Sequence, residues 1–267
     1  MKLNQSGGCD LTRPMKNLLV YINPHKHFDA DGKRYRHNST LVKIQIDNSL
    51  DLGWKKEDIL LITNFPFSYN GVKATVLEGD LYCPFRPLST KTLTVSYLLE
   101  KGMVEKGHVY WVHDFDAYQV HPFRESELSL DNAHVGFTDY GWSPKWCMGS
   151  YFFNSDAKDL FGWIKETIYT HEAEDERALS SLTKNNTNNI NDSIKKLNIT
   201  YNFGMRNVGG NYEIADKPLK VLHFHPYYKD NRLPDTTLNC FMYGKNELNM
   251  PLMSERLIKI FNEHGIQ

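Results

Sequence analysis

Four cysteines in 267 residues, with no C-x-x-C among them, give neither a disulfide scaffold nor a structural zinc site much to be built from. Cys9, Cys83, Cys147 and Cys240 stand far apart, and a reducing compartment suits them. Charge imbalance is missing too. With 31 basic and 32 acidic residues the formal net charge is −1, so there is no global field to hold a polyanion, and nucleic acid is not the default partner. No stretch approaches the roughly 20 apolar residues that span a bilayer, and the opening "MKLNQSGGCDLTRPMKN" has no long apolar run. The expectation is a cytoplasmic protein with no membrane partner. Self-similarity at periods of roughly 20 to 50 residues is absent, which excludes solenoids and propellers. Glycine is scarce where a phosphate loop would need it, since "YINPHKHFDADGKRYRH" holds a single one.

What is there is an ordinary globular balance, 40% hydrophobic and 24% charged, enough for one domain over residues 1–267. From Asn17 the pattern alternates. A buried-type strand "NLLVYI" leads to a helix around Leu41 to Leu50, then to strands "DILLIT" and "VKATVLE". An amphipathic helix with Val95, Leu98, Leu99 and Met103 on one face precedes the strand "HVYWVH". Short all-apolar strands suit central positions covered on both faces, so this rhythm predicts an α/β fold with a mainly parallel twisted sheet flanked by helices. The second half predicts a strand "GSYFFN", a helix from about Ala157 to Tyr169, a polar loop "TKNNTNNINDS", a strand "KVLHFH" and a closing helix capped by Ser254.

In such a sheet the ligand crevice lies outside the carboxyl ends of the strands. "HVYWVHDFDAYQV" ends an apolar strand on Asp114 and Asp116. Two carboxylates two positions apart point to the same side of an extended chain and can share one hard divalent ion, Mg²⁺ or Mn²⁺, which would then bridge nucleotide phosphates. By itself D-x-D is weak, and surface turn residues account for it equally well.

The motif resembles the D-x-D signature of metal-dependent glycosyltransferases with the GT-A fold, and four further stretches fall in the order expected of their glycogenin-like and bacterial lipopolysaccharide-type members. "LLVYINP" sits where those enzymes open their nucleotide site, which points to Tyr21 and Asn23. "STKTLTVSYLL" resembles the segment whose basic residue, here Lys91, faces the donor together with Asp114. "CMGSYFFN" resembles a small-residue strand ending near an Asn, which carries over to Gly149 and to Asn154 as a donor contact. "EDERALSSL" resembles a D-Q-x-x-L-N element, with Asp175 first and Glu176 in the Gln place. "VLHFHP" resembles the late strand whose His completes the metal site, which maps onto His223 beside Asp114 and Asp116. The resemblance spans residues 17–228, and it implies a nucleotide-sugar-binding half over 17–120 and an acceptor-binding half over 121–267. Two departures, Glu176 for Gln and "PYYKD" where K-P-W is expected, leave the subfamily open.

Each of these residues also has a plainer reading. His223 and His225 share one side of their strand, and His225, next to Pro226, suits packing better than ligation. His113 should face away from Asp114. His25 and His27 form with Lys26, Lys33, Arg34 and Arg36 a basic loop able to touch phosphates, although a solvated loop explains most of them. The acids of "HEAEDERALSSL" suit a helix start; one of them, Asp175 before Glu176, is the candidate to contact the acceptor hydroxyl or act as general base. Trp142, Trp146 and Trp163, with Tyr140 and Phe137, enrich the stretch after the metal motif; Trp163 is expected in the core, while Trp142 and Trp146 can offer a sugar ring a flat face or pack in the core equally well.

The function expected is transfer of a hexose from a nucleotide diphosphate sugar, UDP-sugar first, to an acceptor hydroxyl on a glycan, a small molecule, a protein or a modified DNA base. The rivals are a nucleotidyltransferase with an acidic metal site, weakened by the missing Gly-rich loop, and a non-catalytic α/β binding module.

Overall fold

A computed structural model describes residues 15–24, 33–204, 206–224 and 242–266, with the backbone alone for 33–38. In chain order the elements are β1 (Lys16–Tyr21), α1 (Lys33–Asp51), β2 (Ile59–Thr63), β3 (Ser68–Tyr69), β4 (Val72–Lys73) and β5 (Thr75–Val76). There follow α2 (Thr90–Glu100), β6 (Tyr110–His113), β7 (Ala117–Gln119), α3 (Glu125–Leu128), β8 (Val135–Asp139) and β9 (Trp146–Phe153). The rest are α4 (Lys158–His171), α5 (Asp175–Lys184), β10 (Ile194–Lys196), β11 (Phe203–Gly204), α6 (Val208–Ile214), β12 (Val221–His223) and a closing helix, Glu255–Glu263. Seven strands form the main sheet in the order β10-β8-β9-β6-β1-β2-β5, and three more form a second sheet, β11-β12-β7. Pairing in the main sheet is parallel except at β9, which runs antiparallel to both β6 and β8.

The apolar runs lie in the middle, as expected of strands covered twice. Leu18 and Val20 pack into a cluster with Leu93, Leu98, Phe161 and Ile164 of α2 and α4, while Leu19 and Tyr21 pack with Val42 and Ile46 of α1 on the opposite face. Each fully buried side chain of this kind contributes about 1.5–3 kcal/mol. β6 divides in the same way: Tyr110 and Val112 join the α2 side, and Trp111 meets Phe123, Phe152 and Tyr201 beneath the second sheet. Tyr118, Leu222, Leu257 and Phe261 form a separate cluster that ties the second sheet to the closing helix, whose start is capped by Ser254 accepting from Leu257 N–H.

Two segments differ from their expectation. "VKATVLE" is two strands: β4 pairs with β3 across Asn70–Gly71, both at positive φ, and β5 pairs with β2. Asn-Gly is the preferred two-residue hairpin turn because both positions tolerate that conformation. The polar stretch after α5 is wound into short 3-10 turns over Thr187–Ser193, with Asn188 and Asn189 left-handed.

Candidate metal centre

β6 sits beside β1 in the middle of the main sheet, and its carboxyl end releases the chain toward β7. Asp114 N–H donates to Gly149 O at 2.7 Å, and Ala117 N–H closes back onto Asp114 O at 3.0 Å, so the D-x-D segment makes a tight corner between the two sheets. On the other side of the corner β12 runs antiparallel to β7 with His223 opposite Ala117. That register delivers the imidazole to the carboxylates. His223 Nε2 lies 3.3 Å from Asp116 Oδ1 and 3.7 Å from Asp114 Oδ2, and one ligand atom from each of the three residues falls within 4.8 Å of the others.

The imidazole is oriented from behind. Asn202, at the start of β11, donates through its amide to Thr138 Oγ1 at 3.1 Å and so turns Oδ1 toward His223 Nδ1 at 2.9 Å. Nδ1–H donates to Asn202 Oδ1, which leaves Nε2 as the nitrogen that faces the carboxylates and the one that would ligate a cation. With no cation bound, burial opposes a charge on the ring, but the Asp116 carboxylate outweighs it and holds the imidazole well above its usual range, with both nitrogens protonated. Gly149 explains itself at this point: a Cβ there would overlap the His223 ring. Two part-exposed carboxylates and an imidazole that would give up its Nε2 proton to a cation form a hard, mixed O/N donor set that fits Mn²⁺ or Mg²⁺.

Lys91, near the start of α2, reaches the cluster through the sheet. Its Nζ bonds Asp114 Oδ1 at 2.5 Å and Met148 O at 2.6 Å, with only 10% of the side chain exposed. Burial works against its charge, yet Asp114 more than compensates and the ammonium is held above its ordinary range.

Asp175 and Glu176 open α5, and the structure spends their oxygens on the protein itself. Asp175, 6% exposed, accepts from Thr92 Oγ1 at 2.5 Å and from Glu176 N–H at 2.9 Å. Burial pushes its carboxyl up to about 6, against the opposing effects of the Thr92 hydrogen bond and of Lys91. Glu176 accepts from Tyr140 at 2.8 Å and from Met148 N–H at 3.0 Å. It therefore braces the same residue whose carbonyl holds Lys91, and burial, Cys147 and Glu176 together push the Tyr140 phenol up.

The remaining sequence candidates divide. Asn23 N–H bonds Asn64 Oδ1 at 2.8 Å while Asn64 Nδ2 returns to Asn23 O at 2.7 Å, a clamp across the ends of β1 and β2. The side-chain Oδ1 of Asn23 is buried with no hydrogen-bond partner among the described residues, at the wall of a 410 Å³ pocket lined by Asn64, Phe65, Pro66 and Val76. Tyr21 is buried edge-on against Phe65, Phe67 and Phe115 behind that pocket. Asn154 is not brought to the centre. It lies at the far end of β9, where its side chain caps a 3-10 turn by accepting from Asp156 N–H at 2.9 Å. His113 faces away as expected, stacked on Trp111 with its Nε2 3.1 Å from Asn17 Oδ1, and burial lowers it to about 3. Trp146 is half-buried, tilted on Phe137 and bonded to Thr183, and Trp163 packs on the core, whereas Trp142 is 47% exposed. His25, Lys26, His27 and His225, and the side chains of Lys33, Arg34 and Arg36, lie outside the described residues. Asn202 was missed by sequence reasoning. It meets His223 only through the parallel pairing of β11 with β12, for which the sequence carries no local signal.

The main sheet with its one reversed strand has the mixed α/β fold of GT-A glycosyltransferase structures. No protein-family model and no curated protein matches the sequence. Among solved structures, the galactosyltransferase LgtC, held with donor and acceptor sugar analogues, matches over 93% of this chain and 96% of its own, with TM-score 0.55 and 9% identity. An active-site glutamine-to-glutamate mutant of LgtC matches with TM-score 0.55 and 10% identity. The glycosyltransferase GlyE of Streptococcus pneumoniae TIGR4 matches over 94% of this chain with TM-score 0.54 and 14% identity, and the match spans 63% of that longer chain. No helix among the described residues is long and apolar enough to cross a membrane.

Proposed function

We propose that this chain is a metal-dependent glycosyltransferase that moves a sugar from a nucleotide diphosphate donor to an acceptor hydroxyl. The observation that carries the reading is the convergence of Asp114, Asp116 and His223 at the carboxyl end of a central strand in a GT-A fold. Mn²⁺ is favoured over Mg²⁺ by the imidazole donor. Bound there, the cation would supply charge neutralisation for the departing diphosphate. Lys91 adds a fixed positive charge at the same edge, Asn202 orients the His223 imidazole, and Gly149 makes room for its ring.

The donor half, residues 17–120, takes the nucleoside at the pocket beside Asn23. Asn23 and Asn64 border that pocket, and the family resemblance makes a UDP-sugar the first donor to test. Tyr21 acts by backing that pocket. The acceptor half, residues 121–267, carries Trp142 as an exposed aromatic for an acceptor sugar. Asp175 and Glu176 fit positioning better than contact with the acceptor, because both are hydrogen-bonded to groups that set Lys91 and Met148. Glu176 occupies the place that the resemblance gives to Gln.

The test is hydrolysis and transfer over a panel of nucleotide sugars with and without Mn²⁺. A UDP-sugar turned over only with the metal is expected. Turnover of a nucleoside triphosphate instead would identify a nucleotidyltransferase, and no turnover with any donor would leave a binding module.

A further inference from the structure

The corner that carries the carboxylates is held by a residue remote in sequence. Gln45, on α1 and 1% exposed, donates through Nε2 to Phe115 O at 3.1 Å and to Ala117 O at 2.8 Å, the two carbonyls that flank Asp116. One turn later Asn48 donates to Gln119 O at 2.9 Å. Residues 45 and 48 share a helix face; carbonyls 117 and 119 alternate along β7 and carbonyl 115 lies in the turn that leads into it, so α1 supplies donors to this edge of β7 and to the corner before it. The other edge belongs to β12: Phe224 N–H takes Asp116 O at 3.0 Å. Three successive carbonyls, 115 to 117, are therefore pinned from two sides, and Asp116 sits at the middle of the three. Gln45 does this while its own Oε1 stays buried without a hydrogen-bond partner among the described residues. Only one end of the amide is in use.

Resting on the metal reading above, we infer that Gln45 is a positioning residue for the metal centre: by clamping the carbonyls on both sides of Asp116 it fixes the direction of that carboxylate toward His223 Nε2. Asn48 serves as an internal control. It makes the same kind of bond from the same helix face, but to Gln119, three residues past Asp116, and it is further tied to Arg256 at 3.0 Å. A merely structural contact between α1 and β7 would make the two residues equivalent.

The experiment titrates Mn²⁺ alone into the full chain and reads free Mn²⁺ by its electron paramagnetic resonance signal, with thermal unfolding of the metal-free protein measured beside it. Gln45→Met keeps the length of the side chain and removes both donors; its Mn²⁺ affinity should fall roughly 10–100-fold, the range for lost outer-sphere partners. Asn48→Leu should lower the unfolding temperature and leave Mn²⁺ affinity within about threefold of wild type. Should Gln45→Met not fold, Gln45→Asn retains a buried amide one methylene short of the two carbonyls, and the same loss is expected. Wild-type Mn²⁺ affinity in a folded Gln45 variant, or equal losses in the Gln45 and Asn48 variants, would overturn the inference and leave the metal centre standing. A wild-type chain that binds no Mn²⁺ would overturn both.

Discussion

Two pairs of acids lie within one site and are treated in opposite ways. Asp114 and Asp116 converge on each other and on an imidazole, an arrangement that like charges tolerate only where something positive joins them. Asp175 and Glu176, adjacent on α5, face hydroxyls and backbone N–H groups. The first pair gathers positive groups around it, Lys91 on Asp114 and His223 on Asp116, and is the pair that the proposed cation would use. The second is charge already spent on the scaffold, and proximity to a site does not by itself make an acid catalytic.

The strongest way to break this comparison is to neutralise one member of the first pair. Asp114→Asn or Asp116→Asn should lower transfer by at least about 10³-fold and abolish Mn²⁺-dependent nucleotide binding without unfolding the chain. Assays of both variants with a turned-over donor decide it, and activity near wild type would dissolve the contrast. Next in size is Gly149→Ala. Its new Cβ claims the space of the His223 ring, and a displacement on the order of 1 Å should cost transfer about 10²-fold, with weakened Mn²⁺ binding.

The second pair gives smaller effects. If Asp175 only positions Lys91, Asp175→Asn should lower transfer less than about tenfold with Mn²⁺ affinity retained. A loss of roughly 10²–10⁴-fold would instead return it to the role of general base. Stability offers an independent reading. The carboxyl ordinarily titrates near 3.8 and is raised to about 6 by burial, so the folded chain holds the proton to higher pH. Its contribution is fully present below about 3.8 and is lost as pH rises through about 6. Relative to Asp175→Asn, which cannot ionise, wild type should lose roughly 2–3 kcal/mol between pH 4 and 7, measured by denaturant unfolding. The smallest effect belongs to Asn154→Ala, which removes a cap remote from the cluster and should cost about 1 kcal/mol with transfer unchanged.

The central strands were legible because each is a short apolar run bounded by polar residues, and their carboxyl ends could be located from that alone. Asp114 and Asp116 were legible for the same reason. His223 needed the order of several weak motifs, since no periodicity joins residue 116 to residue 223. Asn202 and Gln45 could not be read at all. An Asn just ahead of a two-residue parallel pairing and a Gln on a helix look like countless surface amides until the chain is closed around them. The Asn70–Gly71 turn was present in the sequence, as Asn-Gly between aromatic and β-branched residues, and was passed over because "VKATVLE" reads as one strand. Asn154 shows the reverse error, a residue placed by a motif and removed by the antiparallel run of β9, which carries its end away from the corner.

The pairing of β12 with β7 also bears on how the chain folds. Residues 116 and 223 meet across a long intervening segment, so closing that loop carries an entropic cost that local contacts do not recover, and such pairings form late. A cation held between Asp116 and His223 binds the finished chain and not the unfolded one. At a free concentration 100 times its dissociation constant it would add about 2.7 kcal/mol to the folded state. A cation bound there would then act as a clasp between the first half of the chain and β12, opposing their separation.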